Sequence, residues 1–277
     1  MRSANVKYGT TGSKGKMDSS LIDLVFRSDK RKSLLMFLNG GPKNIEEIRN
    51  ELDVTATSIL PQIKKLIDND LIVQEDRMYR LTVLGEYITR KVKPLVSALE
   101  VVEKNNRYWT GHDLNPIPRH LLERISELVN CVVVEPDLNH IYEPSQKIID
   151  NMVNARQVST YASYFNPAYL PLYVELGRKD AEISLNFTQC VWDHLSSKHA
   201  NMIKELMEMD NLSIYISKDG IKFSEITVTD KLMLLGLFDK NGKFDHQFIM
   251  SFDPSAIRWG RELFDYFKRL SKQVNKI

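Results

Sequence analysis

The sequence has few cysteines and no long apolar run, and both shortages exclude classes of protein. Its two cysteines among 277 residues, Cys131 and Cys190, lack C-x-x-C spacing, so neither a disulfide scaffold nor a structural zinc finger is expected. No apolar run approaches the roughly 18 residues that a membrane-spanning helix needs. The first residues carry basic and small polar side chains without the apolar core of a signal peptide. We therefore expect a cytoplasmic protein that contacts no membrane.

The common motifs of nucleotide-binding and hydrolytic enzymes are also missing. There is no P-loop, no G-x-G-x-x-G and no G-x-S-x-G elbow. Cys190 and His194 would share a helix face, with His199 further along, but this spacing matches no standard zinc pattern. Because a lone helical cysteine mostly behaves as a small core residue, we expect neither a metal nor a cofactor.

Charge is unevenly distributed along the chain. The formal net charge of +2 favours no particular partner. Residues 1–110, however, contain 19 Lys and Arg against 14 Asp and Glu, whereas residues 111–277 contain 19 against 22. A basic first part and a mildly acidic second part are typical of a nucleic-acid module joined to a domain that avoids phosphate.

A helix, turn, helix and hairpin are predicted between residues 44 and 82. Asn44 is expected to cap the helical segment IEEIRNEL, and Thr55 to cap ATSILPQIKKLIDND. The second segment carries an apolar stripe of Ile59, Ile63, Leu66 and Ile67. The strands LIVQ and MYRLT then flank a turn at residues 75–77. This order is that of a winged helix-turn-helix, and YRLTVLGEYI resembles the Y-x-L-T-x-x-G signature of many bacterial and archaeal winged-helix regulators.

The whole pattern predicts a multidomain α+β protein. We expect a flexible tail over residues 1–16, a winged helix-turn-helix over 17–85, a linker helix over 86–107 and a C-terminal α/β domain over 108–277. In the last domain, predicted strands alternate with predicted helices, which indicates a layered α/β arrangement. Long single helices are predicted for NPIPRHLLERISELVN, for QCVWDHLSSKHANMIKELMEM and for the final SAIRWGRELFDYFKRLSKQV.

Two strings of the last domain are more specific than the winged-helix pattern. KLMLLGLFDKNGKFD and MSFDPSAIRWGRELFDYF resemble a family of archaeal winged-helix regulators described as methanogenesis regulatory proteins. With the N-terminal match, the resemblance covers nearly the whole chain after the tail, and it implies transcriptional regulation.

The order of elements in this domain also resembles the phospholipase D-type fold. Enzymes of that fold need a His-x-Lys-x4-Asp motif, whose histidine is the nucleophile. In this sequence Thr229 stands in place of the histidine and Gly236 in place of the aspartate, so we expect that arrangement without its catalysis.

The second helix of the helix-turn-helix is the candidate recognition helix, because the major groove admits a single helix. Gln62 is expected to make a bidentate contact to adenine, Lys64 and Lys65 to bind phosphates, and Arg77 to approach a flanking minor groove or backbone. Pro61 either shapes this helix to the groove or is a harmless kink. The full set of expected DNA contacts is Lys43, Thr55, Thr57, Ser58, Pro61, Gln62, Lys64, Lys65 and Arg77. The alternative for the basic residues is that they are ordinary solvent-exposed charges with no role in DNA binding.

Ligand-binding residues are expected where strands of the second domain end, since ligands of α/β sheets gather beyond the carboxyl ends of strands. Aromatic walls with a few polar groups are typical of a small-molecule pocket. A tyrosine cluster that includes Tyr169 and Tyr173 lies there, and the expected ligand-binding residues are Tyr161, Tyr164, Asn166, Asn186 and Thr188. The alternative is that these tyrosines bind no ligand, and that their rings pack in the core while their hydroxyls are exposed to water.

These features together predict a sequence-specific transcription regulator, not an enzyme, that binds double-stranded DNA and senses a small-molecule effector through its second domain. A homodimer is expected, because two half-sites increase both affinity and specificity. Two alternatives stay open. One is an enzyme acting on a phosphodiester or small metabolite, and the other is an assembly protein that uses the winged helix as a protein contact.

Overall fold

The computed structural model describes residues 20–136, 146–164, 166–218 and 220–274. Its contacts divide the chain into two compact units, residues 1–93 and 94–277. Both units mix helices with strands, so the expected α+β class is confirmed. The predicted tail, residues 1–16, lies outside the described residues. None of the helices in the described ranges is both long enough and apolar enough to cross a membrane.

The first unit contains the predicted helix, turn, helix and hairpin. Its short strand β1 pairs with β3, which in turn pairs with β2, and all these pairs are antiparallel. The last helix continues beyond the unit. The elements are α1 (Leu21–Phe26), α2 (Asp29–Leu38), β1 (Lys43–Asn44), α3 (Ile45–Leu52), α4 (Ala56–Asp68), β2 (Ile72–Glu75), β3 (Met78–Leu81) and α5 (Val83–Lys104).

Local side-chain chemistry sets the helix starts in this unit. Asn44 and Glu47 form a complete capping box at α3, with Asn44 Oδ1 accepting from the Glu47 N–H at 2.9 Å. Asp53 ends α3 in the left-handed conformation, at φ 48°. The expectation that Thr55 caps α4 is only partly right. Thr55 occupies the N-cap position, but its hydroxyl lies 3.1 Å from the hydroxyl of Thr57 and accepts no helix N–H.

The second unit is an eight-stranded sheet covered by helices. The strand order is β11-β7-β6-β5-β8-β9-β10-β4, in which β5, β6 and β7 are parallel and the remaining pairs are antiparallel. The elements are α6 (Asn106–Gly111), α7 (Arg119–Leu122), a 3₁₀ turn (Ile125–Leu128), β4 (Val132–Val134), α8 (Gln146–Val153), β5 (Gln157–Ala162), α9 (Tyr169–Arg178), β6 (Glu182–Phe187), α10 (Gln189–Lys198), α11 (Ala200–Glu208), β7 (Leu212–Ser217), β8 (Glu225–Thr229), β9 (Met233–Gly236), β10 (Phe248–Ser251), α12 (Pro254–Arg269) and β11 (Ser271–Gln273).

Three long helices predicted for this unit are wrong in extent. The first is the short α7 followed by a 3₁₀ turn, and the second breaks at His199 into α10 and α11. His199 has φ −128°, which is far from the helical value, so the regular helix is interrupted at this residue. The third ends at Arg269, because residues 271–273 pair with β7 as the edge strand β11. An edge pairing of this kind depends on a distant strand, which local periodicity does not report.

The two faces of this sheet have separate cores. On one, which we call the α12 face, Trp259, Leu263 and Phe264 of α12 pack on Ile226 and Val228 of β8. On the other, the α9 face, apolar side chains of α8 to α11 pack on Val158, Leu185 and Ile214. Because side chains alternate across a strand, Glu225 and Thr227 of β8 lie on the α9 face.

Candidate functional site

The surface of α4 divides into a buried stripe and an exposed stripe. Ile59, Ile63 and Leu66 are buried, as expected, whereas Ile67 is exposed. The exposed stripe recurs at helical spacing and consists of Thr57, Leu60, Pro61, Lys64 and Lys65. Proline has no N–H, so the Thr57 carbonyl lacks the donor that residue 61 would normally supply. The result is a surface with two ammonium groups, a hydroxyl and a backbone acceptor.

Gln62 lies between the buried stripe and the exposed stripe, and its side chain is hydrogen-bonded to a buried residue. Its Oε1 accepts a hydrogen bond from the Arg31 guanidinium at 2.6 Å. Arg31 is itself buried, and it also donates to the carbonyl oxygens of Asp23 and Leu24 at the end of α1. A bidentate contact to adenine needs both the oxygen and the nitrogen of the glutamine amide. The bond to Arg31 occupies one of the two lone pairs of the Gln62 oxygen and directs that oxygen toward Arg31, whereas the amide nitrogen stays available to a ligand.

Two of the other predicted DNA contacts, Lys43 and Ser58, are less exposed than expected. Lys43 is half-buried, with its ammonium 5.1 Å from the centre of the Phe37 ring. Ser58 is also half-buried and donates to the Thr55 carbonyl at 3.0 Å. Thr55 is exposed beside Thr57.

The tip of the β2–β3 hairpin is a two-residue turn. Asp76 and Arg77 both have positive φ, 48° and 64°, which is the pattern of a type I′ turn. The second position of such a turn strongly prefers glycine, and a side chain there costs on the order of 1 kcal/mol. Arg77 is exposed at this position, whereas Arg80 is paired with Glu75 at 2.6 Å. The hairpin tip therefore presents one arginine in a conformation that glycine would adopt more easily.

The second unit contains a small cavity on the α9 face, beyond the end of β5. Of the predicted ligand-binding residues, Tyr164 and Asn166 line it, together with Tyr169 and Tyr173 of the tyrosine cluster. Apolar side chains complete the wall. The cavity volume is about 20 Å³. This exceeds the roughly 10–15 Å³ that one water molecule requires, so the space suits a small group.

Tyr161, Asn186 and Thr188 are not brought into this cavity. Tyr161 pairs with Asn186 across β5 and β6, and both side chains lie on the opposite, α12 face. The expectation that they converge with Tyr164 overlooked the alternation of side chains along each strand. Thr188 instead occupies the N-cap of α10, where its hydroxyl accepts from the Val191 N–H.

A carboxylate that the sequence reading missed forms the floor of the cavity. Glu225 is 2% exposed, and its Oε2 accepts a hydrogen bond from the Tyr164 hydroxyl. Thr227 donates to its Oε1 at 2.9 Å, and the Thr227 hydroxyl lies 3.1 Å from that of Thr160. Tyr173 donates to Thr160 at 3.1 Å. A chain of hydroxyls therefore ends on Glu225.

Burial and mutual charge shift the ionisation of these groups. Desolvation raises the pKa of Glu225, because the carboxylate has left water, and the bonds from Tyr164 and Thr227 oppose that shift. Burial likewise raises the pKa of Tyr164 and of Tyr169, and the nearby Glu225 charge adds to both shifts. The carboxylate thus acts electrostatically on hydroxyls from two segments around the cavity.

A signal for Glu225 was present in the sequence. The segment EITVT alternates polar and apolar residues, which is typical of a strand with one solvent-exposed face. A central strand covered by helices on both sides is normally apolar on both faces. Polar residues recurring at one face of such a strand indicate a site.

The group formed by Cys190, His194 and His199 does not converge on a metal site. Cys190 is exposed, and the rings of His194 and His199 are 6.0 Å apart. Within the described ranges, no group of three or more histidine, cysteine, aspartate or glutamate side chains is placed to hold a metal ion.

Comparison with solved structures yields weak similarities. The archaeal chromatin protein TrmBL2, whose structure is described as showing a novel mode of DNA binding, matches with a TM-score of 0.43 and 14% identity, covering 93% of this chain and 97% of that one. An O-methyltransferase family protein from Burkholderia thailandensis matches with a TM-score of 0.17 and 12% identity, covering 72% and 65%. Neither score supports an argument about this chain.

Comparison by sequence gives a family. The methanogenesis regulatory protein FilR1 of Methanothrix harundinacea (strain 6Ac) is 24% identical over 258 residues, which are 91% of this chain. The chain spans 58% of that relative's length. Family models for the N-terminal and middle domains of methanogenesis regulatory protein FilR1 match residues 13–100 and 141–270. The domain expected to be C-terminal thus corresponds to the middle domain of the family. Since the two models together cover most of the chain, it belongs to the methanogenesis regulatory protein FilR1 family.

Proposed function

We propose that this protein is a sequence-specific DNA-binding transcriptional regulator that responds to a small molecule bound by its second unit. The observation that carries the proposal is the exposed stripe of α4, which displays Thr57, Lys64 and Lys65 above a buried core. The relative's name as a regulatory protein supports the same function. In this reading the first unit is a winged helix-turn-helix, with α4 as the recognition helix.

DNA recognition divides between positioning and reading. Lys64 and Lys65 bind phosphates on either side of the groove, and Arg77 reaches the backbone or minor groove from the wing tip. Thr57 and the amide nitrogen of Gln62 face base edges. Because Arg31 holds the Gln62 oxygen, we expect Gln62 to contact a base mainly by donating from its amide nitrogen. This is narrower than the bidentate contact to adenine that the sequence suggests.

The active species is proposed to be a homodimer. Leu95 and Leu99 of α5 are 51% and 49% exposed and lie one helical turn apart. A second copy would cover them, and it would place two recognition helices on two half-sites. The double variant Leu95→Glu/Leu99→Glu should sediment as a monomer at concentrations where the unmodified protein is dimeric. Identical sedimentation of the two proteins would refute this interface.

Regulation requires that the ligand distinguish two states of the dimer. A ligand that binds the cavity around Glu225 equally well in both states changes nothing, however tightly it binds. We therefore propose that the ligand binds more tightly in the state that holds DNA, or in the state that releases it.

DNA binding is tested by fluorescence anisotropy on a labelled fragment from upstream of the protein's own gene, across a series of NaCl concentrations. The logarithm of affinity should fall linearly with the logarithm of salt. Lys64→Ala and Lys65→Ala should each weaken binding and reduce that slope by about 1. Lys204→Ala, an exposed lysine of α11, is the matched control and should change neither quantity.

The same measurement separates the alternatives. An assembly protein that uses the first unit for protein contacts would show no salt-dependent binding of the labelled DNA. An enzyme acting through the second unit would keep its DNA affinity unchanged with or without ligand. Absence of binding at low salt, with no effect of either lysine substitution, would overturn the regulator proposal.

A further inference from the structure

Among the described residues, the Glu225 carboxylate has only neutral partners. Its two oxygens accept hydrogen bonds from the hydroxyls of Tyr164 and Thr227. In the part of the chain that the structure describes, no lysine or arginine contributes to its ionisation. Because a carboxylate removed from water is normally paired with a cation, this position favours a ligand that carries positive charge.

The hydrogen-bond chain leaves part of the carboxylate available. Each hydroxyl carries one proton, so Thr227, which donates to Glu225, accepts from Thr160, which in turn accepts from Tyr173. All these protons point toward Glu225. An ionised carboxylate accepts about four hydrogen bonds, and Tyr164 and Thr227 supply two. The remaining positions suit a ligand that donates.

Aromatic rings surround the same space. Tyr164, Tyr169 and Tyr173 line the cavity, and the last two are stacked with ring centres 6.3 Å apart. The Tyr164 ring is backed by Phe244, with centres 4.6 Å apart. Aromatic faces attract organic cations, and they also contact the alkyl groups that such cations carry.

We propose that this cavity binds a small alkylammonium ion, whose N–H groups donate to Glu225 and whose alkyl groups contact the tyrosine rings. This alkylammonium ion would be the effector of the sensing role proposed above. Its binding to the cavity does not depend on that role, but its effect on DNA binding does. The size limits the ligand, since about 20 Å³ exceeds the roughly 10–15 Å³ that one water molecule requires and so admits the ammonium head group.

Other ligand classes fit the same wall less well. An anion would meet the Glu225 carboxylate with no cation to offset the repulsion. A hard metal cation such as Ca²⁺ takes about six to eight oxygen ligands, usually with several carboxylates, whereas Glu225 is the single carboxylate among the lining residues. A neutral alcohol would satisfy the hydrogen bonds but not the charge.

The test is isothermal titration calorimetry of the full chain without DNA, so that its result does not depend on DNA binding. The probes are methylammonium chloride and ethylammonium chloride. Methanol and ethanol are the matched neutral probes, and potassium chloride controls for ionic strength. We expect the unmodified protein to bind an alkylammonium ion at millimolar concentration or below and to bind neither alcohol.

Substitutions locate the site. Glu225→Gln keeps the shape but removes the charge, and it should weaken alkylammonium binding about 10- to 100-fold. Glu208→Gln, an exposed glutamate at the end of α11, is the matched control and should bind like the unmodified protein. Circular dichroism verifies that each variant is folded, and Tyr169→Leu, which removes one aromatic wall of the cavity, should also weaken alkylammonium binding if Glu225→Gln does not fold.

Each outcome decides between the two proposals. No binding of either ammonium probe, or equal binding of an alcohol, overturns the alkylammonium assignment and leaves the DNA-binding proposal untouched. Binding that Glu225→Gln does not weaken overturns the site. Binding that needs Glu225 but leaves DNA affinity unchanged supports the assignment and refutes the sensing role.

Discussion

In the eight-stranded sheet of the second unit, a single strand, β8, places apolar side chains on one face and polar side chains on the other. On β8, Ile226 and Val228 pack into the α12 face, and Glu225 and Thr227 lie on the α9 face. Both sets are buried. For the side chains of β8, burial on the α12 face removes apolar surface from water and stabilises the fold, whereas burial on the α9 face removes polar groups and costs free energy unless they are paired. We infer that β8 mainly stabilises the unit through its α12 face and mainly serves a ligand through its α9 face.

The largest effect is expected from the α12 face. Trp259 is fully buried, and its Nε1 donates to the Leu121 carbonyl at 2.8 Å. Trp259→Ala should lower the free energy of unfolding by about 3–5 kcal/mol, because it leaves a cavity and an unpaired carbonyl. Urea denaturation followed by circular dichroism measures this loss. The exposed neighbour Arg258→Ala should stay within about 0.5 kcal/mol, and equal losses in both variants would contradict the division between faces.

Matched glycines compare how tightly each face is packed. A Cβ on Gly260 of α12 would come within 2.5 Å of Met233 Cγ and 3.0 Å of a Val228 methyl. Gly260→Ala should therefore destabilise by about 1–3 kcal/mol. A Cβ on Gly177 of α9 would meet the sulfur of Met209, a flexible side chain that can move. Gly177→Ala should cost less, because Met209 is only partly buried and can move aside, whereas Met233 is fully buried; the gain from alanine is common to both helices.

The pH dependence of stability tests the polar face. In the unfolded chain Glu225 ionises at its ordinary pKa, and in the folded chain burial raises the pKa. Between the two values the folded state holds a proton that the unfolded state has lost. The free energy of unfolding should therefore fall as pH rises through that window. Urea denaturation at a series of pH values measures the slope.

Glu225→Gln provides the control for that slope. Tyr164, Tyr169 and Tyr173 surround Glu225, and His246 lies 6.3 Å from Tyr164 between ring centres, so other titrations contribute to the raw curve. The variant should remove only the contribution of Glu225. Its stability near neutral pH should be unchanged or raised by about 1 kcal/mol, since no buried charge is left. A loss of several kcal/mol would mean that the carboxylate stabilises the fold.

The smallest effects should come from two tyrosine hydroxyls, one on each face. The Tyr173 hydroxyl donates to Thr160 at 3.1 Å, whereas the Tyr161 hydroxyl lies 3.5 Å from that of Ser217. Tyr173→Phe should cost about 1 kcal/mol, and Tyr161→Phe less, because a 3.5 Å contact is at the limit of a hydrogen bond. The reverse order, measured by thermal unfolding, would show that the α12 face also depends on its polar groups.

Much of the first unit could be predicted from sequence because its signals are local. The capping box at Asn44, the stripe on α4 and the hairpin turn at Asp76 each depend on residues a few positions apart. The site was predicted less well. The engagement of Gln62 by Arg31 joins residues 31 positions apart, and no pattern within α4 reports it.

The cavity shows the same limit in the second unit. The sequence placed Tyr164 and Asn166 together, and both line the cavity, because polar and aromatic residues at the ends of parallel strands meet at one edge of the sheet. Tyr161 and Asn186 were misplaced, because the face to which a side chain points depends on the register between strands. Glu225 was missed because a glutamate in an alternating strand normally faces water.

The sequence by itself determined the α+β class, the family, the exposed and buried stripes of α4, and the position of a tyrosine-rich cluster at the end of β5. These follow from periodicity, capping and motif strings, all of which act over short distances along the chain. Only the tertiary structure decided that β8 is covered on both faces. That covering buries Glu225 beneath three tyrosines, where its charge favours a cationic ligand.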